Sequence, residues 1–551
     1  MILIVQANDF LQRICKSHGN FATDNFMISR RCHLDLQILC GLFLLVGVMA
    51  TAAQSPVPTD HPPAEPDMTT LHVASRLVVL DVVVVDKAGH PVSDLDRSQF
   101  SITEDKVPQT LRSFDPPLGH TMPGARDAHM IVHGTADLAK IGNAPVNILV
   151  FDELNTKWDE TAYARLQMEK FLKTQPEVLT VPTLLVAAGD SRFVVLHDYT
   201  QSRAELLESI RTYFPRYPWQ MMRGGGGNSR IERMEQTLGT LSQIAESSRG
   251  TPGRKNVIWA GSGYPSIDTT NLIGDDQEKL MTVIRLVTDR MLAARVTLYV
   301  VDPAGVQSST QDSGEAGDDG SFIDTGGSSL GPYVGKLEFS TFATATGGEI
   351  FSNRNDVDYA IGRGIKEGGV YYTLSYVPTS PIEEKQQYRQ IHVKLKDPSL
   401  RAFTRDGYFS VAAPVVPVPS PEERPSMELQ FDLVSAARTR LVYNGLNVEA
   451  HRIADGYVLL VRTKDLHWVE QPDKSRLTEV TVMAVFFNAK DKKLQSNVME
   501  LKEKVGKGGQ LNSKSEIALK FPVQLPGKTA RIRFVVRDAA TGILGTADVK
   551  E

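Results

Sequence analysis

Cysteine is nearly absent from this chain of 551 residues, and what there is stops early: Cys15, Cys32 and Cys40 are the whole complement. Residues 51–551 therefore offer no disulfide, no thiolate nucleophile and no cysteine-based zinc site, and must be held by packed cores alone. Excess charge of one sign is also missing. Lys and Arg number 60 against 65 Asp and Glu, a net charge of -5, so the basic stripe expected of a nucleic-acid partner is lacking. No apolar run reaches the length of a membrane-spanning helix. Gly224–Gly227 lacks the Lys-Ser/Thr that completes a phosphate-binding loop. Gly261-Ser262-Gly263 lacks the spacing of a nucleophile elbow. His129 and His133 stand four apart with no glutamate beside the first, and solvated loop histidines are expected there rather than a zinc pair. Asp312, Glu315, Asp318, Asp319 and Asp324 fall outside the register of an EF-hand loop. No internal repeat of solenoid or propeller period is seen.

What is present begins with Ile38–Ala50, an apolar run preceded by Arg30 and Arg31 and followed by small residues at cleavage spacing. Residues 1–53 are expected to be a signal peptide, with Met27 as its start. The chain is then exported to the periplasm, the cell surface or the medium, with no integral span once the signal is removed. Residues 54–69 and 413–426 are Pro-rich and read as linkers. Residues 70–118 read as a small β unit. From 145 to 368 strands and helices alternate, the pattern of a parallel sheet. Strand-like runs return at 369–412 and are expected to pair with the first β unit. Residues 427–551 are rich in alternating strands and read as an antiparallel sandwich.

The centre of interest is Val146–Phe151, an apolar strand that ends in Asp152, with Asn155 and Thr156 just beyond and a helix from about 159. In open α/β sheets ligands sit beyond the carboxyl ends of strands, so these residues are a candidate site. Two readings of the side chains stand: ligands for a cation, or caps that hydrogen-bond the loop and the following helix. The aromatic group Tyr213, Phe214, Tyr217 and Trp219 is a second candidate, as a binding patch if exposed.

Several motifs, in order, carry a resemblance. They are Gly89-x-Pro91-Val92-x-x-Leu95, Phe100-x-Ile102-x-Glu104-Asp105, the strand ending in Asp152, Thr346-Gly347-Gly348, Tyr372-x-Leu374-x-Tyr376-x-Pro378, Tyr388-Arg389-x-Ile391 and Gly407-Tyr408-Phe409. Over residues 70–412 the chain resembles the VWFA-related proteins described chiefly from Acidobacteria. The resemblance implies a doubly wound, mostly parallel α/β sheet of von Willebrand factor A (Rossmann-like) type. Here it would be flanked by β elements and followed by the C-terminal antiparallel β-sandwich.

It further implies a protein-binding function through Mg²⁺ or another divalent cation at the sheet top, held by Asp-x-Ser-x-Ser, a second-loop Thr and a third-loop Asp. Asp152 takes the first position and Thr156 the second hydroxyl, but Leu154 replaces the first serine. Asn228 or Ser229 falls at the second loop, and Ala260, Gly261 and Ser262 leave the third without an acid. The metal set is then Asp152, Thr156 and Asn228, a degenerate site with weak affinity. The expected function is non-enzymatic protein binding of the adhesion type. A structural cell-envelope scaffold is the alternative. A third reading is a haloacid-dehalogenase-like phosphatase, resembled through Asp152, Thr156, Ser262 and Gly274-Asp275-Asp276, although Leu154 occupies the place of its general acid–base.

Overall fold

A computed structural model describes residues 77–123, 130–189, 193–214, 227–269, 275–306, 331–333, 335–380, 387–410, 427–506 and 515–551. The chain divides into two compact units, Met1–His72 and Val73–Glu551, and every described residue lies in the second. The expected signal peptide, both Pro-rich linkers and the acidic loop 312–324 fall outside the described residues. Among those described, no helix is long and apolar enough to cross a membrane.

The protein is mixed α/β, with one mixed sheet and several antiparallel ones. The mixed sheet contains β1 (Val146–Asp152), β2 (Val178–Ala188), β3 (Phe193–Ser202), β4 (Lys255–Ala260), β5 (Val296–Val301) and β6 (Ile350–Phe351), in the order β6-β5-β4-β1-β2-β3. All neighbours pair in parallel except β2 and β3. β1, β4 and β5 are buried along their whole length, which is why they read as continuous apolar runs rather than alternating ones.

Side chains still alternate by face. Val146, Ile148 and Val150 pack with α3 (Gly227–Ser247), α4 (Asp275–Ala293) and α5 (Phe339–Ala345). Leu149 and Phe151 pack with α1 (Trp158–Thr174), α2 (Arg203–Thr212) and α6 (Val357–Gly369). Helices thus cover both faces, and the carboxyl ends of the parallel strands β1, β4 and β5 lie along one edge of the sheet.

Residues from both sides of this core build a two-sheet β unit. Val78–Val85 pairs antiparallel with Tyr372–Tyr376, and Phe100–Glu104 with Tyr388–Leu395. Leu80, Val82, Ile102, Leu374 and Ile391 fill the space between the sheets. Within it Glu104, fully buried, accepts hydrogen bonds from Tyr376 Oη at 2.6 Å, Tyr408 Oη at 2.9 Å and Ser380 Oγ at 3.2 Å. Asp81 of this unit forms a two-pronged ion pair with Arg295 at the base of β5.

The C-terminal region contains two antiparallel sheets around one apolar cluster that includes Leu459, Phe486, Phe521 and Phe534. It opens with α7 (Met427–Arg438), a helix the strand-rich reading of 427–551 missed. Leu433, Ala436 and Ala437 of α7 share a core with α3 and α4 on one side and with Met483, Val485 and Val535 on the other. Asp432 lies inside this contact. It accepts from Arg290 Nη2 of α4 at 2.8 Å and from Arg537 Nε of the large sheet at 2.9 Å. The C-terminal sheets are therefore docked on the α/β core, and removing 427–551 would uncover an apolar face of α3 and α4.

Candidate functional site

Asp152 ends β1 on the face that carries Ile148 and Val150. In the parallel register Val150 lies opposite Trp259 of β4, so the period of two puts the Trp259 side chain on the same face, beside the carboxylate. Asp152 is fully buried, and both its oxygens are engaged. Oδ1 accepts from the Leu154 N–H at 3.1 Å, the Asn155 N–H at 2.9 Å and Asn155 Nδ2 at 3.3 Å. Oδ2 accepts from Trp259 Nε1 at 3.1 Å and the Gly263 N–H at 2.9 Å. Burial pushes the Asp152 carboxyl above its ordinary value, and the hydrogen bonds from Asn155, Trp259 and Gly263 oppose that shift. Gly263 presents its N–H from a left-handed conformation, φ +70°, and a side chain there would run into the Phe339 ring.

The other loops close over the same point. Thr156 Oγ1 accepts the Ser262 N–H at 3.1 Å. Asn155 Nδ2 also donates to Thr237 Oγ1 of α3 at 2.9 Å. A Cβ on Gly261 would overlap Asp152 Cβ and Thr156 Oγ1, so the β4–α4 loop lies directly against both residues. Ser262 Oγ turns outward and donates to Asp302 Oδ1, just past β5, at 3.2 Å.

Of the residues the sequence pointed to, Asp152, Asn155, Thr156 and Ser262 are brought together. Asn228 falls in the first turn of α3, and its side chain lies outside the described residues, as do the side chains of Ser229, Asp275 and Asp276. His129, Tyr217 and Trp219 lie outside them too. Helix α1 is not capped by Asp152 or Thr156. Its Glu160 bonds the Lys157 N–H at 3.3 Å, while Asp152 caps the turn before it. Trp259, Gly263 and Thr237 were missed. The legible trace of the first was its place two residues along β4 from Val257 on the core face.

The donor set bears on the divalent cation that the family resemblance implies. A hard cation takes oxygen lone pairs. Here the lone pairs of Asp152 point at N–H groups, the Thr156 hydroxyl faces an amide, and the loop backbone fills the space against both. These residues do not fit a cation in this arrangement.

Exposed apolar and aromatic groups rise around the sealed centre. Trp158, at the start of α1, is 56% exposed, Val306 after β5 is 62% and Tyr359 after β6 is 60%. Arg354 stacks over Tyr359 at 5.4 Å. Each follows the carboxyl end of a different parallel strand. Phe214 of the aromatic segment is exposed as well, with Arg165 at 5.0 Å from its ring.

No protein-family model and no curated protein matches this chain. Among solved structures, a crystal structure of Bacteroides uniformis β-glucuronidase is similar over 32% of this chain at 12% identity, with a TM-score of 0.11. The chain spans 18% of that enzyme. A similarity that slight carries no argument about fold or activity.

Proposed function

We propose that this chain is an exported, non-enzymatic binding protein of the adhesion type. Its α/β core would be a von Willebrand factor A-like domain that offers the carboxyl end of its sheet to a protein partner. The strand order β6-β5-β4-β1-β2-β3, the antiparallel edge strand β3 and the helices on both faces support the fold reading. The observation that carries the function is the exposure of Trp158, Val306 and Tyr359 after β1, β5 and β6, with half-buried Arg354 stacked over Tyr359. Trp, Tyr and Arg are the residues that dominate binding hot spots, and Trp158 and Tyr359 are each more than half exposed.

The test is retention of envelope and secreted proteins on the immobilised chain, compared with Trp158→Ala and Tyr359→Ala. Proteins held by the wild type and lost by both variants fit the proposal. An unchanged set would remove the sheet top from the contact. The second reading, a structural envelope scaffold, draws on the buried Arg290–Asp432–Arg537 contact that fastens the C-terminal sheets to the core. Contacts made through exposed Val498 and Leu494 of the large C-terminal sheet, with none at Trp158, would favour it. Against the phosphatase reading stands the burial of Asp152, since an attacking carboxylate needs an open oxygen.

A further inference from the structure

The Asp152 centre ties four segments to one carboxylate: the β1–α1 turn, the end of β4, the loop through Gly263, and α3 by way of Asn155 and Thr237. In the type of domain proposed above, a divalent cation ties the sheet-top loops together. We propose that here the tie is built into the chain: a cation-free latch in which the Trp259 indole and the Gly263 amide take the place of the metal. The sheet-top surface is then set permanently, and its binding is indifferent to divalent cations and to chelators. The comparison rests on the von Willebrand-type reading; the latch itself concerns only the hydrogen bonds around Asp152.

The five hydrogen bonds to Asp152 all come from N–H groups, so they suit an anion and offset the cost of its burial. Backbone and indole donors are fixed by the fold, and charge-assisted bonds of this kind are about twice as strong as neutral ones. A cation entering this centre would have to displace the indole, two amides and the packed Gly261 backbone at once. Trp259 is a positioning residue here: it orients the carboxylate and, through it, the loops.

The experiment uses the full chain, with hydrogen exchange read by mass spectrometry over peptides spanning 152–158 and 259–264. Metal binding is read separately by calorimetry with Mg²⁺ and Mn²⁺ alone. The expected results are equal protection in millimolar Mg²⁺ and in chelator, and no saturable heat. In Trp259→Phe, exchange in both peptides should rise roughly tenfold or more, as the loss of one such bond implies. Thr156→Val, which removes the acceptor of the Ser262 N–H with little change in shape, should speed exchange in 259–264 and guards against a Trp259 variant that fails to fold. Protection that rises with Mg²⁺, or a binding isotherm lost in Asp152→Asn, would overturn the latch. So would unchanged exchange in both variants. None of these readings involves a partner, so a failure of the binding proposal at Trp158 would leave them standing.

Discussion

Asp152→Asn is the sharpest perturbation of the central arrangement, because it changes one atom and the charge while keeping the shape. The amide has one oxygen. Its best placement keeps the oxygen toward Leu154 and Asn155, which make three of the bonds. The new NH₂ then faces Trp259 Nε1 and the Gly263 N–H, donors that sat 3.1 and 2.9 Å from the lost oxygen. Two buried donors are orphaned at about 1–3 kcal/mol each, roughly 2–6 kcal/mol together. The three remaining bonds weaken when their acceptor loses its charge. Removing a buried charge works the other way, because a neutral amide is less costly to desolvate. The donor–donor contacts cannot relax without moving β4 or its loop, so we expect a net loss of roughly 2–5 kcal/mol. For a domain near 200 residues that corresponds to a fall in midpoint of about 5–20 °C. Scanning calorimetry of wild type and variant at neutral pH reads it. Midpoints within about 2 °C of each other would refute the reasoning, because a carboxylate that organises four segments cannot be replaced by an amide without cost.

Three other outcomes follow from the same structure. Asp432→Ala leaves Arg290 and Arg537 buried without their shared carboxylate and should cost about 3–5 kcal/mol, read by urea unfolding and by faster proteolytic release of the C-terminal region. Trp158→Ala, at a residue 56% exposed, should shift stability by no more than about 0.5 kcal/mol on the same calorimetric scan; a large loss would mean the side chain is part of the core. Burial, helped by the charge of Arg295, holds the Lys255 ammonium down to about 7 from 10.5. Between those values the unfolded chain binds the extra proton, so the Lys255 contribution to stability grows as pH rises, by up to ~1.4 kcal/mol per unit, and is lost as pH falls toward 7. Asp406 and Glu349, pushed up by burial to about 7, act in the opposite sense: their contributions are present in acid and decline as pH rises from about 4 to 7. Urea unfolding across pH 4–10 should therefore show the alkaline rise disappear in Lys255→Met while the acid limb remains.

The regular parts of the α/β core were legible because their patterns are local. Val146–Asp152 was expected as a strand to Phe151, and the helix expected from about 159 begins at Trp158. Helix α7 was not legible, for a physical reason. Its inward face carries Leu433, Ala436 and Ala437 but also Asp432, 2% exposed, and a charge at a core position breaks the apolar period that marks an amphipathic helix. The same holds for Glu104 in the β unit and Arg533 in the large C-terminal sheet, both fully buried. Their partners, Tyr376 and Asp548 among them, come from other strands. A buried charge looks like surface until the residue that balances it is placed beside it.

The candidate site shows the same limit more sharply. Against the ligand pattern that the resemblance implies, the sequence has Leu154 at a hydroxyl position and Ala260 at the acid position. That pattern does not find what stands in their place, because the substitutes are not ligands. Trp259 stands one residue before the missing acid and reads as an ordinary core aromatic, packed 5.0 Å from the Phe339 ring. Only the parallel register, which sets Val150 against Trp259, turns its indole N–H toward Asp152. The Gly263 amide has no side chain to be read at all. A site made of main-chain amides and one indole leaves its trace in spacing and glycine placement rather than in residue chemistry. Absent ligands in such a motif are therefore weak evidence that the position has been abandoned. In this chain the carboxylate at the end of β1 is bound by N–H donors from the turn after β1, from β4 and from the loop beyond it, and those donors fix where the surrounding loops sit.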